Sequence, residues 1–227
     1  MTTSPQPRLV TIHSRSPSAR IYLRSPVLSD SFSYTARAHD PLCTAYLPHI
    51  ASPKSPITVA SNEKNIERWR GESGVSGYFL SICLLPEVRK AQAAAGLLPE
   101  EGEKDDTWHT IGDTGLGPLD LAAKTGETGL MLNSGPITRG QGYAVETLDM
   151  IFAFGFDNLG LERMNLATHK DNAPMRGVLE KKFGIPAQWQ EKSNDWAFDV
   201  TPEWWKARQE AAGEARIIVD VEDLVEE

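Results

Sequence analysis

The feature that most constrains this chain is a glycine-rich turn set between an apolar strand and an amphipathic helix. Glu127–Asn133 (ETGLMLN) reads as a strand, and Gly140, Gln141 and Gly142 form the turn. From Ala144 onward apolar or small residues recur at Ala144, Leu148, Ile151, Phe152 and Gly155, one face of a helix that Gly160 ends. Arg163–Thr168 is the next strand. Asp171 or Asn172 caps a second helix with Met175, Val178, Leu179 and Phe183 on its inner stripe and Gly184 at its end. The first N–H groups of a helix have no internal partner, and its dipole favours an anion there. Glycine lets the backbone approach such an anion without a side chain in the way. Arg139 adds a permanent positive charge beside the turn.

Three phosphate-binding loops compete for this pattern. A Walker loop needs a lysine followed by Ser or Thr after its last glycine, and none follows Gly140 or Gly142. A dinucleotide fingerprint needs a third glycine where Val145 stands, and its strand belongs near the start of a βαβ series, whereas this one is late. What remains is Arg139-Gly140-Gln141-Gly142-Tyr143-Ala144, or R-x-x-G-x-A.

The rest of the chain supplies a mixed sheet with helices on its faces. Arg20–Arg24 alternates as a first strand, Gly77–Leu85 is a buried strand ended by Pro86, Trp108–Leu116 is a third, and residues 188–200 are a strand pair. Residues 28–51 hold short helices with Asp30 as a cap, residues 61–70 form a helix, and Thr201-Pro202-Glu203 starts another. The expected organisation is a flexible arm over 1–18, a domain over 19–206 and an acidic extension over 207–227. Within the domain, residues 87–106 are a charged, Ala/Gly-rich insertion, helical in part at Val88–Ala95, and a loop or substrate lid.

The quoted residues resemble a family. R-x-x-G-x-A between a strand and a helix is the acyl-coenzyme A pyrophosphate loop of the GNAT superfamily of N-acetyltransferases. GETGLMLNSGPITRGQGYAVETL and LERMNLATHKDNAPMRGVLEKKFGI are similar to the segments flanking that loop in its RimJ/RimL-type branch, and ARIYLRSPVLSD to its opening strand. The close match covers residues 126–186 and a looser one 19–205. The resemblance implies an α/β (α+β) fold: a mixed, mostly antiparallel sheet of about seven strands, helices on both faces, and the fourth and fifth strands splayed. It implies acetyl-CoA as co-substrate and a primary amine as acceptor, a protein N-terminus as the branch suggests or a small molecule, to which the acidic balance and the insertion lean slightly. The N–H groups of Gly140, Gln141, Gly142, Tyr143 and Ala144, beside Arg139, would hold the pyrophosphate. Leu130, Met131 and Leu132 would pair with the pantetheine arm like an added strand. Asn172 would hydrogen-bond the same arm, and the splayed gap would take the thioester.

The sequence departs from the family at Met175, where a serine often stands; a thioether cannot donate a proton to a leaving thiolate. A thiol of pKa about 8.5 leaves fairly readily without help. An alkylammonium of pKa about 10 must lose a proton before it attacks, which a carboxylate does directly or through water. Glu127 is the foremost base, at a position where the branch often has Glu, and the Leu132 amide suits the oxyanion. Asp113 is a weaker base and reads better as a turn residue, Glu146 as a first-turn acid complementing its helix dipole, and His169 as a surface or core histidine near the gap.

Composition narrows the remaining classes. A net charge of -8 argues against nucleic acid, which needs a dense basic surface, and favours a cationic acceptor. No apolar run approaches the length of a membrane helix, so no membrane is expected. Cys43 and Cys83 read as reduced, buried thiols of a cytoplasmic protein, and the histidines lack ligand spacing, so no metal is expected. The chain is expected to act as a monomer or homodimer. The rival reading is an acyl-CoA-binding sensor or interaction module without turnover.

Overall fold

Strands alternate with helices along the chain as their residue patterns require. In a computed structural model, residues 6–99, 107–212 and 217–223 are described. Their order is β1 (Arg8–Ser14), β2 (Ile21–Arg24), α1 (Asp30–His39), α2 (Pro41–Thr44), α3 (Pro48–Ala51), α4 (Val59–Glu72), β3 (Tyr78–Leu84) and α5 (Pro86–Ala94). There follow β4 (Gly112–Asp120), β5 (Thr125–Leu132), α6 (Tyr143–Ala153), β6 (Arg163–His169), α7 (Ala173–Arg176), β7 (Gln188–Gln190), β8 (Asp195–Val200), α8 (Pro202–Ala212) and β9 (Ile217–Asp223). Helices α6 and α7 each run on into π-helical turns, Phe154–Asn158 and Gly177–Lys182.

The described residues form one nine-stranded sheet in the order β7-β8-β6-β5-β4-β3-β2-β1-β9. Every pairing is antiparallel except β5 with β6. The two strands beyond the expected seven are β1 and β9. Both come from segments read as an N-terminal arm and a C-terminal extension, and they pair with each other from Arg8↔Asp223 to Ser14↔Ile217. Val10 and Ile12 alternate inward on β1 and are buried, a period-two signal that the neighbouring Ser and Pro residues obscured. Residues 1–5, 100–106, 213–216 and 224–227 of the arm, insertion and extension lie outside the described residues.

The two faces of the sheet are held by different chemistry. Under α6 the contacts are apolar: Ile12, Leu23, Leu80, Ile82 and Leu116 meet Leu148, Ile151, Phe152 and Phe154 in one core cluster, with Tyr78 edge-on to Phe154. On the other face α1 buries a polar stripe. Asp30, Tyr34 and Arg37 are spaced i, i+4, i+7 on one side of the helix and sit over the cross-strand row Arg24↔Ser81↔Asp113. Each meets its complement. Asp30 takes a two-pronged contact from Arg24 (2.7 and 2.8 Å) and one from the Ser81 hydroxyl (2.6 Å), and Tyr34 Oη lies 2.7 Å from Ser81 Oγ. Arg37 donates to Asp113 (3.0 Å), Asn133 Oδ1 (2.9 Å) and both oxygens of Thr110. Asp30 therefore does not cap α1, whose N-cap is Ser29, and Asp113, the second residue of β4, is a strand partner of Arg37 and not a turn residue. Outside this row Trp69 of α4 stacks on Phe79 at 3.7 Å, which closes that face with aromatic area.

Two outcomes follow from this packing. Removing Arg37 leaves the Asp113 carboxyl, already pushed above the usual carboxylate range by burial, without its counter-charge. Arg37→Ala is expected to lower stability by about 3–5 kcal/mol in denaturant titrations. An unchanged midpoint would show that the pair contributes nothing. The second outcome concerns Cys83, buried and pushed up to about 11 by desolvation. The folded chain keeps this proton while the unfolded thiol loses it near its ordinary pKa of about 8.5. Its contribution to stability is complete below about pH 8.5 and declines toward about pH 11. Unfolding measured from pH 7.5 to 10.5 should show this fall, and Cys83→Ala should make it shallower, the remainder coming from Cys43 and the tyrosines that burial also raises.

Candidate active site

The glycine turn lies where the sequence places it, at the head of α6. Gly142 is the N-cap of α6 with φ +86° and Gly140 has φ +75°, both left-handed, a region that favours glycine. No side chain caps the helix. Among the described residues, the backbone N–H groups of Gly140, Gln141, Gly142, Tyr143 and Ala144 have no acceptor. Five consecutive donors at a helix N-terminus fit a pyrophosphate, so this part of the chain is suited to the coenzyme the resemblance implies. Gln141 and Arg139 fold back onto the loop and its neighbour: Gln141 Nε2 donates to the Pro136 carbonyl at 3.0 Å, and Arg139 donates to the Leu42 carbonyl at 3.2 Å.

Three elements hold this turn in place. Glu146 does more than complement the helix dipole. Its carboxylate accepts from the backbone N–H of Arg20 (2.7 Å) and Ile21 (3.2 Å) and from the Arg20 guanidinium (3.1 and 3.2 Å), which locks the start of β2 to the first turn of α6. Arg20 also donates to the Gln141 carbonyl at 2.8 Å and lies 4.5 Å over the Tyr143 ring. Helix α5 of the insertion packs on the far side, where Gln92 Nε2 reaches Tyr143 Oη at 3.4 Å and Arg89 donates to the Trp108 carbonyl at 2.6 Å. The described part of the insertion thus touches the first residue of α6 through Gln92.

Beside the turn the sheet opens. Strands β5 and β6 pair only at Thr125↔Arg163, Gly126↔Met164 and Glu127↔Asn165. Beyond Glu127 they part, while β5 stays paired with β4 up to Leu132↔Gly112 and β6 with β8 up to His169↔Asp195. Asn133 donates to the Ile111 carbonyl, so Met131 and Gly129, of the same parity, turn their main-chain groups to β4. The alternate residues Leu130 and Leu132 turn theirs to the gap. Met131 instead continues the row Arg24↔Ser81↔Asp113 on the α1 face. Glu127 is exposed and is the last paired residue before the strands separate.

The far wall of the gap carries Asn172 and Met175. Asn172 caps α7: its Oδ1 accepts from Met175 N–H at 3.2 Å and its Nδ2 donates to Thr168 Oγ1 at 2.8 Å. The Met175 side chain packs against the core. A bridge that the sequence reading missed spans the gap's mouth. The Cys43 thiol donates to the Leu132 carbonyl at 3.4 Å, Asp40 accepts from the Ser134 hydroxyl, and Tyr46 stacks on His169 with centroids 6.2 Å apart. Residues 40–46 therefore tie the end of β5 to the end of β6. No motif marks them, because each contact joins residues roughly a hundred positions apart. Asp113 is engaged by Arg37 in an ion pair on the α1 face of the sheet. Among the described residues no group of His, Cys, Asp and Glu could hold a metal, and no helix is long and apolar enough to cross a membrane.

This geometry matches known proteins. The chain from 20 to 182 matches the family model described as an acetyltransferase (GNAT) domain. An N-acetyltransferase 9-like protein of Caenorhabditis briggsae is 33% identical over 91 residues, 38% of this chain and 44% of that protein, so the match spans less than half of that relative. Among solved structures, Mycobacterium smegmatis RimJ in complex with CoA-disulfide superposes with a TM-score of 0.64 at 19% identity, over 91% of this chain and 96% of that one. The microcin C7 self-immunity acetyltransferase MccE, in complex with acetyl-CoA and AMP, gives a TM-score of 0.57 at 15% identity, over 82% and 97%. These identities speak to the fold; the family model, matched over most of the chain, shows that it belongs to the GNAT acetyltransferases.

Proposed function

We propose that this chain is an N-acetyltransferase of the RimJ/RimL-type branch that moves an acetyl group from acetyl-CoA to a primary amine by direct attack. The observation that carries this reading is the gap between β5 and β6 opening beside five acceptor-free N–H groups at the head of α6. Acetyl-CoA supplies the activated acyl carbon as a thioester. Gly140 to Ala144, with Arg139 nearby, hold its pyrophosphate; the Leu130 main chain and the remaining amide hydrogen of Asn172 hold the pantetheine arm, which reaches Leu132 at its thioester end. Met131 turns its main chain to β4 and lines the gap by position alone.

The chain's own groups then divide the work. Glu127, at the fork, takes the proton from the ammonium, directly or through water. The Leu132 N–H faces the gap and stabilises the oxyanion, its carbonyl being fixed by Cys43. Met175 donates no proton, so the thiolate departs on its own acidity. The acceptor is a small molecule or a protein N-terminus. We favour the small amine, as the net charge of -8 attracts a cation from solution. We assign the reaction to the cytoplasm, on the two free, buried cysteines.

Thiol release from acetyl-CoA against a panel of amines and N-terminal peptides tests the reading. Release with one acceptor class, abolished in Gly142→Glu, is expected; none with any acceptor from a chain that still binds acetyl-CoA would overturn turnover. Glu127→Gln should lower kcat by about 10²- to 10⁴-fold with coenzyme affinity unchanged. Full activity in that variant would remove Glu127 as the base.

A further inference from the structure

The sheet ends on two unlike edges. β7 is three residues long, and shortness is one way an open edge is blunted. β9 runs for seven residues, Ile217–Asp223, and among the described residues no strand pairs with its outer side. Both β9 and its neighbour β1 lie outside the segment that the acetyltransferase family model matches.

The ladder fixes which groups β9 turns outward. Val10 accepts from the Ser25 N–H, so the main chain of Val10 and Ile12 faces β2, and that of Leu9, Thr11 and His13 faces β9. Their partners Glu222, Asp220 and Ile218 therefore turn their main chain to β1. Ile217, Val219 and Val221 turn theirs to the open side, and among the described residues these N–H and C=O groups have no partner.

The side chains sort by face as well. Ile217 and Val219 pack on the core from the α6 face, and Val221 beside them is 52% exposed. The opposite face carries Ile218, 43% exposed, and then Asp220 and Glu222, which stand across from Thr11 and Leu9. Among the described residues neither carboxylate has a cationic partner. The edge thus offers open main chain, an apolar row on one face and an unneutralised acidic row on the other.

We propose that the outer edge of β9 takes an extended segment of another protein as a tenth strand, one in which basic and apolar residues alternate. Main-chain bonds to Ile217, Val219 and Val221 hold it. Its basic side chains fall beside Asp220 and Glu222, and its apolar ones beside Val219 and Val221. A second copy of this chain fits the edge poorly. Antiparallel pairing of all seven residues about a two-fold axis sets Asp220 against Asp220 and Ile218 against Glu222. The acids therefore reject a like strand and select one of opposite charge.

Fluorescence anisotropy of labelled, end-capped peptides titrated with the full chain tests this. The peptides are alternating Lys-Val, the same residues arranged in two blocks, and alternating Glu-Val. Alternating Lys-Val should bind about tenfold more tightly than either of the others, and less tightly as salt is added. Asp220→Lys with Glu222→Lys should transfer the preference to Glu-Val. Val221→Pro removes an outward N–H and no bond to β1, so it should abolish binding and leave the unfolding midpoint in place. Equal binding of the alternating and block peptides, binding that survives Val221→Pro, or no binding of any peptide overturns the proposal. Self-association of the chain in the ultracentrifuge that Val221→Pro abolishes overturns it too, because a second copy is then the occupant.

Discussion

A strand inside a sheet presents hydrogen-bonding groups along both edges, and burying them without partners is costly. The middle of this sheet departs from that pattern on one side: past Glu127, β5 keeps β4 but loses β6. Much of the surrounding structure is arranged around this opening. The row of polar pairs under α1 brings that helix across β2, β3 and β4 and delivers its C-terminal end to the lip of the gap, where residues 40–46 tie the two parted strands together. A gap fixed at its root by three residue pairs and at its mouth by this bridge keeps its width before any ligand arrives. Preset width matters because an extended ligand arm gains main-chain contacts only if the strands do not have to be pulled apart first.

The glycine turn depends on the same economy of fixed parts. Its donors are free because no side chain caps α6, and a loop with so few internal bonds would wander. Glu146 prevents this by accepting four hydrogen bonds from the start of β2, and Arg20 passes the restraint on to the Gln141 carbonyl. The acid next to an anion site is thus neutralised by a fixed arginine, which removes the repulsion an unpaired carboxylate there would exert. Trp108 packs close to Gly135 from below, and α5 buttresses Tyr143.

The segment from Glu127 to Gly184 was readable from sequence because its signals are local. Glycines with positive φ, a helical stripe from Ala144 to Gly155, and a cap at Asn172 each need only a few neighbouring residues. Helix α8 was legible for the same reason, as Thr201 Oγ1 accepts from Trp204 N–H across the first turn. What escaped was long-range. Arg20 reads as one residue of an alternating strand until Glu146, 126 positions on, is beside it. Asp113 reads as a turn residue among glycines until Arg37 is placed over it. Tyr46 carries no motif at all. Strands β1 and β9 were hidden by compositions, Ser/Pro-rich and acidic, that favour extensions, and their partner is each other.

That last pairing has a consequence for how the chain comes to be folded. Arg8 and Asp223 face each other across a ladder whose ends are 215 positions apart in sequence. During synthesis the outer edge of β1 has no neighbour until Ile217–Asp223 has been made, and over that interval it presents open main-chain groups next to the buried Val10 and Ile12. Closing so long a loop adds only slowly to the entropic toll, so a ladder between such distant segments remains affordable. Among the described strands, the one latest in sequence protects the earliest.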